Sequence, residues 1–103
     1  MKLFEWLFPK KPDLTSILND GAIILDVRQP HEFNRGHAKG AMNIPVGKLE
    51  SRIGSLRKKN KPFVTCCASG MRSRQAAKIL NSHGLEAHNG GSWQQVERFK
   101  QGV

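Results

Sequence analysis

Two adjacent cysteines, Cys66 and Cys67, are the only thiols in this 103-residue sequence. They follow the apolar and β-branched run 63–65, which is typical of a strand, and they precede a helical pattern that begins near Arg72. A thiol between a strand end and a helix start lies near unpaired backbone amides and the positive end of the helix dipole. These surroundings lower the pKa of a cysteine below its free value of about 8.5, so the sequence predicts a nucleophilic thiolate here.

Gly70 and Arg72 strengthen that interpretation. A glycine lets the backbone curl so that its amides point inward. An arginine in the same loop either fixes the loop or meets an anionic substrate. A cysteine at a strand end is often simply a small buried apolar residue. Here the glycine, the arginine and the helix start coincide, and together they favour a reactive site.

The rest of the sequence alternates between strand-like and helix-like segments. Ala22 to Val27 is a near-continuous apolar run, which is typical of a strand buried on both faces of a parallel sheet. The stretch from Asn89 to Gly91 has the composition of a turn. The alternation predicts an α/β domain with a mainly parallel sheet flanked by helices on both faces. The predicted strands cover 22–27, 41–44, 63–66 and 85–88, and the predicted helices cover 14–20, 30–35, 46–56, 72–83 and 93–99.

Composition narrows the class of protein. The length fits one domain, and we expect residues 1–12 to form an N-terminal extension and residues 13–103 to form the domain. A net charge of +9 favours anionic partners, although most charge runs form a solvated surface. No aromatic residues interleave with the basic clusters, which argues against nucleic-acid binding. Two adjacent cysteines are no disulfide framework, so a reducing, cytoplasmic setting is the simplest expectation.

The N-terminal stretch 1–8 is apolar apart from Lys2 and Glu5. It is too short for the apolar core of a signal peptide and has no small-residue cleavage site after it. No apolar run in the sequence approaches the roughly 20 residues of a membrane span. Two interpretations stay open: residues 1–8 pack on the domain, or they form a small exposed patch that associates with a membrane, which is the less favoured of the two.

The segment from Cys67 to Ser73 resembles the active-site loop of rhodanese-like domains, written C-x-x-G-x-R-S. Upstream, the residues from Asp26 to Arg28 are similar to the family's D-V-R. The stretch 31–45 resembles its E-[FY]-x-x-G-H-I-x-G-A-x-N-I-P, and 90–93 resembles its late G-G-x-x-x-W region loosely. The resemblance spans about Leu14 to Phe99.

This resemblance implies a single rhodanese-like domain that transfers sulfur without a cofactor or metal. It implies that Cys67 takes a sulfane sulfur from thiosulfate or a persulfide donor and passes it, as a persulfide, to cyanide or a thiol. A thioredoxin-like or sulfur-carrier protein is a possible thiol acceptor. The implied substrate-binding residues are Ala68, Ser69, Gly70, Met71, Arg72 and Ser73, and the implied loop-bracing residues are Asp26, Arg28 and Glu32. No histidine has zinc-ligand spacing with the cysteines, and His37 is expected to be structural.

Two alternatives stay open. Counted from Cys66, the loop reads C-x-x-x-x-x-R-S, which resembles phosphatases and arsenate reductases. The position of Gly70, three residues after Cys67, favours the sulfurtransferase register, and so does Thr65, where phosphatases usually have histidine. The second alternative is a non-catalytic sulfur-carrier or binding module. Ala68 and Ser69 bring no cation into the loop, which favours a persulfide or a protein over thiosulfate as donor.

Overall fold

The computed structural model describes residues 13–101. The predictions for the N-terminal extension 1–12, including membrane association through 1–8, lie outside these residues. None of the helices within 13–101 has the length and apolar character needed to cross a membrane. The helices are α1 (Leu14–Asn19), α2 (Pro30–Arg35), α3 (Ile53–Arg57), α4 (Met71–Ser82) and α5 (Trp93–Gln101), and the strands are β1 (Ile23–Asp26), β2 (Met42–Asn43), β3 (Phe63–Cys67) and β4 (Ala87–Ser92).

The four strands form one sheet in the order β2-β1-β3-β4, and every neighbouring pair is parallel. In a parallel sheet all strands end at the same edge, so the loops that follow β1, β3 and β4 lie side by side. The prediction of a parallel α/β domain is confirmed. The predicted elements agree with the structure to within two residues everywhere except in two regions, 46–56 and 85–91.

Helices cover both faces of the sheet and divide the apolar core into two layers. One layer joins alternate sheet residues to α3 and α4, and the other joins the remaining sheet residues to α1 and α5. Strand β3 contributes to both, because successive side chains on a strand point to opposite faces. Phe63 and Cys67 lie in the first layer, whereas Val64 and Cys66 lie in the second.

The predicted helix over 46–56 is the first of the two differences. The structure has two 3₁₀ turns, Val46–Lys48 and Glu50–Arg52, before the short helix α3. The apolar residues Leu49, Ile53 and Leu56 of this stretch are all buried, as an amphipathic segment requires. A spacing of three suits a 3₁₀ turn as well as an α-helix. Two glycines in this stretch, at 47 and 54, lower the stability of a continuous α-helix.

The predicted turn from Asn89 to Gly91 is the second difference, and it is wrong. These residues are part of β4, which pairs with β3 through an irregularity opposite Thr65 and Cys67. Gly91 has a φ of +86°, which supplies the irregular backbone at this point. A Cβ atom at Gly90 would lie 2.4 Å from Val96 Cγ2, so the glycine allows α5 to approach the sheet closely.

Candidate active site

Cys67 is the last residue of β3, and the loop that follows it curls back around its sulfur. The Gly70 amide donates to Cys67 Sγ at 3.0 Å, and the Ser73 amide donates to it at 3.4 Å. The Ser73 hydroxyl oxygen also lies 3.4 Å from Sγ. Gly70 has a φ of +106°, a conformation that favours glycine and that turns the chain into α4. The predicted inward-pointing amides are therefore present at the start of the helix.

Two opposing influences act on the pKa of Cys67. Burial is the largest single influence and raises the pKa, because the thiolate is poorly solvated there. Hydrogen bonds from the Ser73 hydroxyl and from the amides of Ser73, Gly70 and Ser69 act in the other direction. Together they outweigh burial, and the pKa of Cys67 lies below its ordinary value. The loop thus favours a nucleophilic thiolate.

Cys66 has the opposite environment. Its side chain is fully buried on the other face of the sheet, in the layer that contains Val64 and Val96. Burial raises the pKa of the Cys66 thiol strongly, and the nearby Asp26 carboxylate raises it further. Within residues 13–101, no hydrogen bond reaches Cys66 Sγ. Cys66 therefore faces away from the loop amides that donate to Cys67.

Arg72 is held by Glu32, which lies on α2. Its two terminal nitrogens donate to the two Glu32 carboxylate oxygens at 2.7 and 3.0 Å, forming a bidentate pair. The Arg72 hydrogen bonds, together with the backbone amide of Gln29, lower the pKa of Glu32 to about 2. This pair ties the first turn of α4 to α2. The observed contact of Arg72 is thus a bracing contact, and substrate binding by Arg72 stays a prediction.

Asp26 and Arg28 form a buried ion pair behind the loop. Arg28 donates to both Asp26 oxygens, with Nε–Oδ1 at 2.9 Å and Nη2–Oδ2 at 2.8 Å. The same guanidinium donates to the carbonyls of Glu32 and Gly36 and lies 5.3 Å from the centre of the Trp93 ring. The hydrogen bond to Asp26 raises the pKa of Arg28. This geometry supports the expected bracing role, because one side chain links β1, α2 and α5.

The outer side of the loop is open. Ala68 and Ser69 are exposed, and Met71 at the start of α4 is 80% exposed. His37 has a structural arrangement. It donates from Nδ1 to the Phe33 carbonyl at 2.8 Å and stacks on the Phe33 ring. Residues 13–101 contain no cluster of three or more His, Cys, Asp or Glu residues that could hold a metal ion.

Two further residues, Asn89 and Thr65, organise the loop and were not predicted from the sequence. Asn89 on β4 accepts from the Ser73 hydroxyl at 2.6 Å and donates to the Gly70 carbonyl at 3.3 Å. Thr65 donates its hydroxyl to the Ser73 carbonyl at 2.7 Å. The composition of 89–91 indicates a turn, and Thr65 stands out in the sequence only as the residue before Cys66. Neither residue type signals chemistry alone. The parallel pairing of β3 with β4 brings Asn89 to the loop, and the packing of α4 against β3 brings Ser73 to Thr65.

The sheet order, the helices on both faces and a cysteine loop that leads into a helix together define a rhodanese-like domain. The chain belongs to this family: the family described as Rhodanese-like domain matches residues 11–97. The expectation from the sequence is confirmed at this level.

Relatives and solved structures agree with the assignment. The chain is 34% identical over 79 residues to "Putative sulfur carrier protein YrkF" of Bacillus subtilis (strain 168), covering 77% of this chain and 40% of that protein. It is 36% identical over 61 residues to "Thiosulfate sulfurtransferase PspE" of Escherichia coli (strain K12), covering 58% and 59%. The structure titled "rhodanese with anions from E. coli" has a TM-score of 0.67 and 31% identity, covering 73% of this chain and 91% of that one. The chain spans about half the length of the curated relatives it matches.

Proposed function

We propose that this domain is a sulfurtransferase that carries sulfur as a persulfide on Cys67. The observation that carries the proposal is the arrangement around one sulfur atom: the Gly70 and Ser73 amides donate to Cys67 Sγ at 3.0 and 3.4 Å, and the Ser73 hydroxyl oxygen lies 3.4 Å from it. The family and its relative named a thiosulfate sulfurtransferase support this chemistry. The pair between Glu32 and Arg72 holds the start of α4 in position before any substrate arrives, and Arg28 holds the two ends of α2, through the carbonyls of Glu32 and Gly36.

The reaction follows from that geometry in two steps. The Cys67 thiolate attacks the sulfane sulfur of a donor, the bond between that sulfur and the rest of the donor breaks, and the leaving group departs with the electron pair. From thiosulfate the leaving group is sulfite, and from a persulfide it is a thiolate. An acceptor thiolate or cyanide then attacks the outer sulfur, and Cys67 leaves as a thiolate. The loop amides stabilise the negative charge on sulfur at both stages.

A sulfur-carrier role is the second candidate, and the composition of the loop favours it. Ala68 and Ser69 carry no charge, and the charge of Arg72 is shared with Glu32. The loop therefore offers little attraction to the dianion thiosulfate, which favours a persulfide delivered by a partner protein. The similarity to "Putative sulfur carrier protein YrkF" supports this candidate.

Mass spectrometry of the full chain tests the proposal. After incubation with thiosulfate or a low-molecular-weight persulfide, we expect the mass to rise by one sulfur atom, located on Cys67. Cys67→Ser should abolish the addition. Cys66→Ala should retain it, and alanine is the better control because a serine at this fully buried position adds a hydroxyl that lacks a partner.

Other outcomes would change the assignment. Addition only in the presence of a cysteine desulfurase would favour the carrier. Addition that depends on Cys66, or turnover of an aryl phosphate without any sulfur addition, would overturn the proposal.

A further inference from the structure

The hydroxyl of Ser73 has more acceptors around it than it has protons. It lies 2.6 Å from Asn89 Oδ1, 3.1 Å from the Gly70 carbonyl oxygen and 3.4 Å from Cys67 Sγ. A hydroxyl group carries a single proton, so it donates to one of these atoms at a time. The shortest of these distances is the one to Asn89 Oδ1, so Asn89 is the acceptor of the Ser73 hydroxyl in this structure. Stabilisation of Cys67 by Ser73 therefore competes with the bond to Asn89.

We propose that Asn89 is a positioning residue of this site, which controls how strongly the Ser73 hydroxyl stabilises the Cys67 sulfur anion. The inference rests on the proposed function in that it takes Cys67 as the nucleophile. It assigns a role to the strand β4, which contributes no group to the hydrogen bonds on the sulfur itself.

The hydrogen bonds rearrange when Cys67 ionises. In the neutral form, the Cys67 thiol donates to Ser73 Oγ, and the Ser73 hydroxyl donates to Asn89 Oδ1. In the thiolate form, the Ser73 hydroxyl rotates and donates to Cys67 Sγ, while Asn89 Oδ1 keeps the Gly91 amide at 3.0 Å as a donor. The Cys67 proton passes to solvent, and the covalent O–H bond of Ser73 stays intact because the hydroxyl only rotates. Ionisation of Cys67 therefore breaks the 2.6 Å hydrogen bond between Ser73 and Asn89. The loss of this bond limits how far the thiolate is stabilised.

The same rotation accompanies each step of sulfur transfer. When Cys67 holds a second sulfur, Sγ no longer carries the charge and the Ser73 hydroxyl returns to Asn89. When the outer sulfur leaves, the charge returns to Sγ and the hydroxyl turns back. A thiol whose pKa lies near the ambient pH is the best attacking group, because nucleophilicity falls as the pKa falls. By limiting how far the pKa of Cys67 falls, Asn89 keeps Cys67 a good attacking group in the first step and a good leaving group in the second.

The charged and titratable groups around the site come from five elements. They are Cys66 on β3, Asp26 on β1 with Arg28 just after it, Glu32 on α2, and Arg72 and Arg74 on α4; on β4, His88 pairs with Glu86 at 2.9 Å. Arg72 pairs with Glu32, and Arg28 pairs with Asp26. All of them except Cys66 are kept in every variant below, so their influence cancels in the comparison.

The test is the titration of Cys67 in the full chain carrying Cys66→Ala, followed by thiolate absorbance and by the rate of alkylation against pH. Ser73→Ala should raise the pKa of Cys67 by about one pH unit, the size expected of one hydrogen bond. Asn89→Leu should lower it by about half a pH unit, because the hydroxyl is released to the sulfur. Combined with Ser73→Ala, Asn89→Leu should add nothing.

Asn81→Ala is the matched control. Asn81 also binds β4, through the amide of Ala87 at 2.9 Å and its carbonyl at 3.1 Å, but does not contact Ser73. It should leave the titration unchanged. If Asn89→Leu does not fold, Asn89→Ala gives the same direction with a smaller shift, because water can replace the lost acceptor.

Three results would overturn the inference: no shift with either Asn89 variant, an upward shift, or a shift that persists when Ser73 is alanine. These titrations need no sulfur donor. A chain that shows the expected shifts but never forms a persulfide would contradict the proposed function and support this inference.

Discussion

Cys66 and Cys67 are joined by one peptide bond, yet they occupy two different chemical environments. Cys67 lies at the loop, on the face covered by α3 and α4, where hydrogen bonds lower its pKa. Cys66 lies on the face covered by α1 and α5, where burial raises its pKa. Both side chains are almost completely buried, so burial alone does not decide reactivity. The decisive difference is the presence of donors aimed at one sulfur and their absence around the other.

The largest expected effect is the difference in alkylation between the two thiols. With limiting iodoacetamide at neutral pH, we expect the native full chain to react at Cys67 more than about a hundredfold faster than at Cys66. Two pH units between the pKa values of two thiols change the thiolate fraction by about that factor. Fragmentation of the peptide that holds both residues locates the label.

Unfolding in denaturant provides the control for this experiment. The two thiols should then react at similar rates, because the difference belongs to the fold. Comparable labelling of Cys66 in the native chain would show that the two faces of the sheet do not give the two thiols different pKa values.

A smaller effect is expected on the Cys66 face when Gly90 is replaced by alanine. The new Cβ would lie 2.4 Å from Val96 Cγ2, 2.8 Å from Val64 Cγ1 and 2.9 Å from the Thr65 carbonyl oxygen. Relief of these overlaps must push α5 away from the sheet, so the free energy of unfolding in urea should fall by about 1–3 kcal/mol.

Gly47→Ala is the matched substitution, because a Cβ there has nothing within 4 Å. It should change the free energy of unfolding by less than about 1 kcal/mol. Equal effects of the two substitutions would mean that α5 does not pack on the Cys66 face as closely as the structure shows.

The contrast between the two cysteines was partly predictable. The strand-like run before Cys66, the glycine at 70 and the helical pattern after it place the loop correctly, because these are local signals. The alternation of side chains along a strand also predicts that neighbouring cysteines face opposite sides. The contacts from other strands were not predictable, since Asn89 reaches Ser73 only through the pairing of β4 with β3. The stretch 89–91 has the composition of a turn, and tertiary packing around Gly90 and Gly91 makes it a strand.

The smallest expected effect concerns the bracing of the Cys67 loop by Glu32. Glu32→Gln removes the charge from the pair with Arg72, and sulfur transfer should fall about two- to fivefold, the modest range of a partly exposed pair. Glu50→Gln, in the exposed turn Glu50–Arg52, removes the same charge elsewhere and should leave transfer unchanged.

The pH dependence of stability checks the physical cause of the Glu32 effect. The folded state lowers the pKa of Glu32 from 4.5 to about 2, so the pair contributes its full stability above about pH 4.5. That contribution is lost as the pH falls towards 2 and the carboxylate is protonated. The native chain should therefore be more stable than Glu32→Gln at neutral pH, and the difference should shrink between pH 4.5 and pH 2. A difference that stays constant over this range would show that the loss comes from packing, and that the loop around Cys67 does not depend on the charge of its brace.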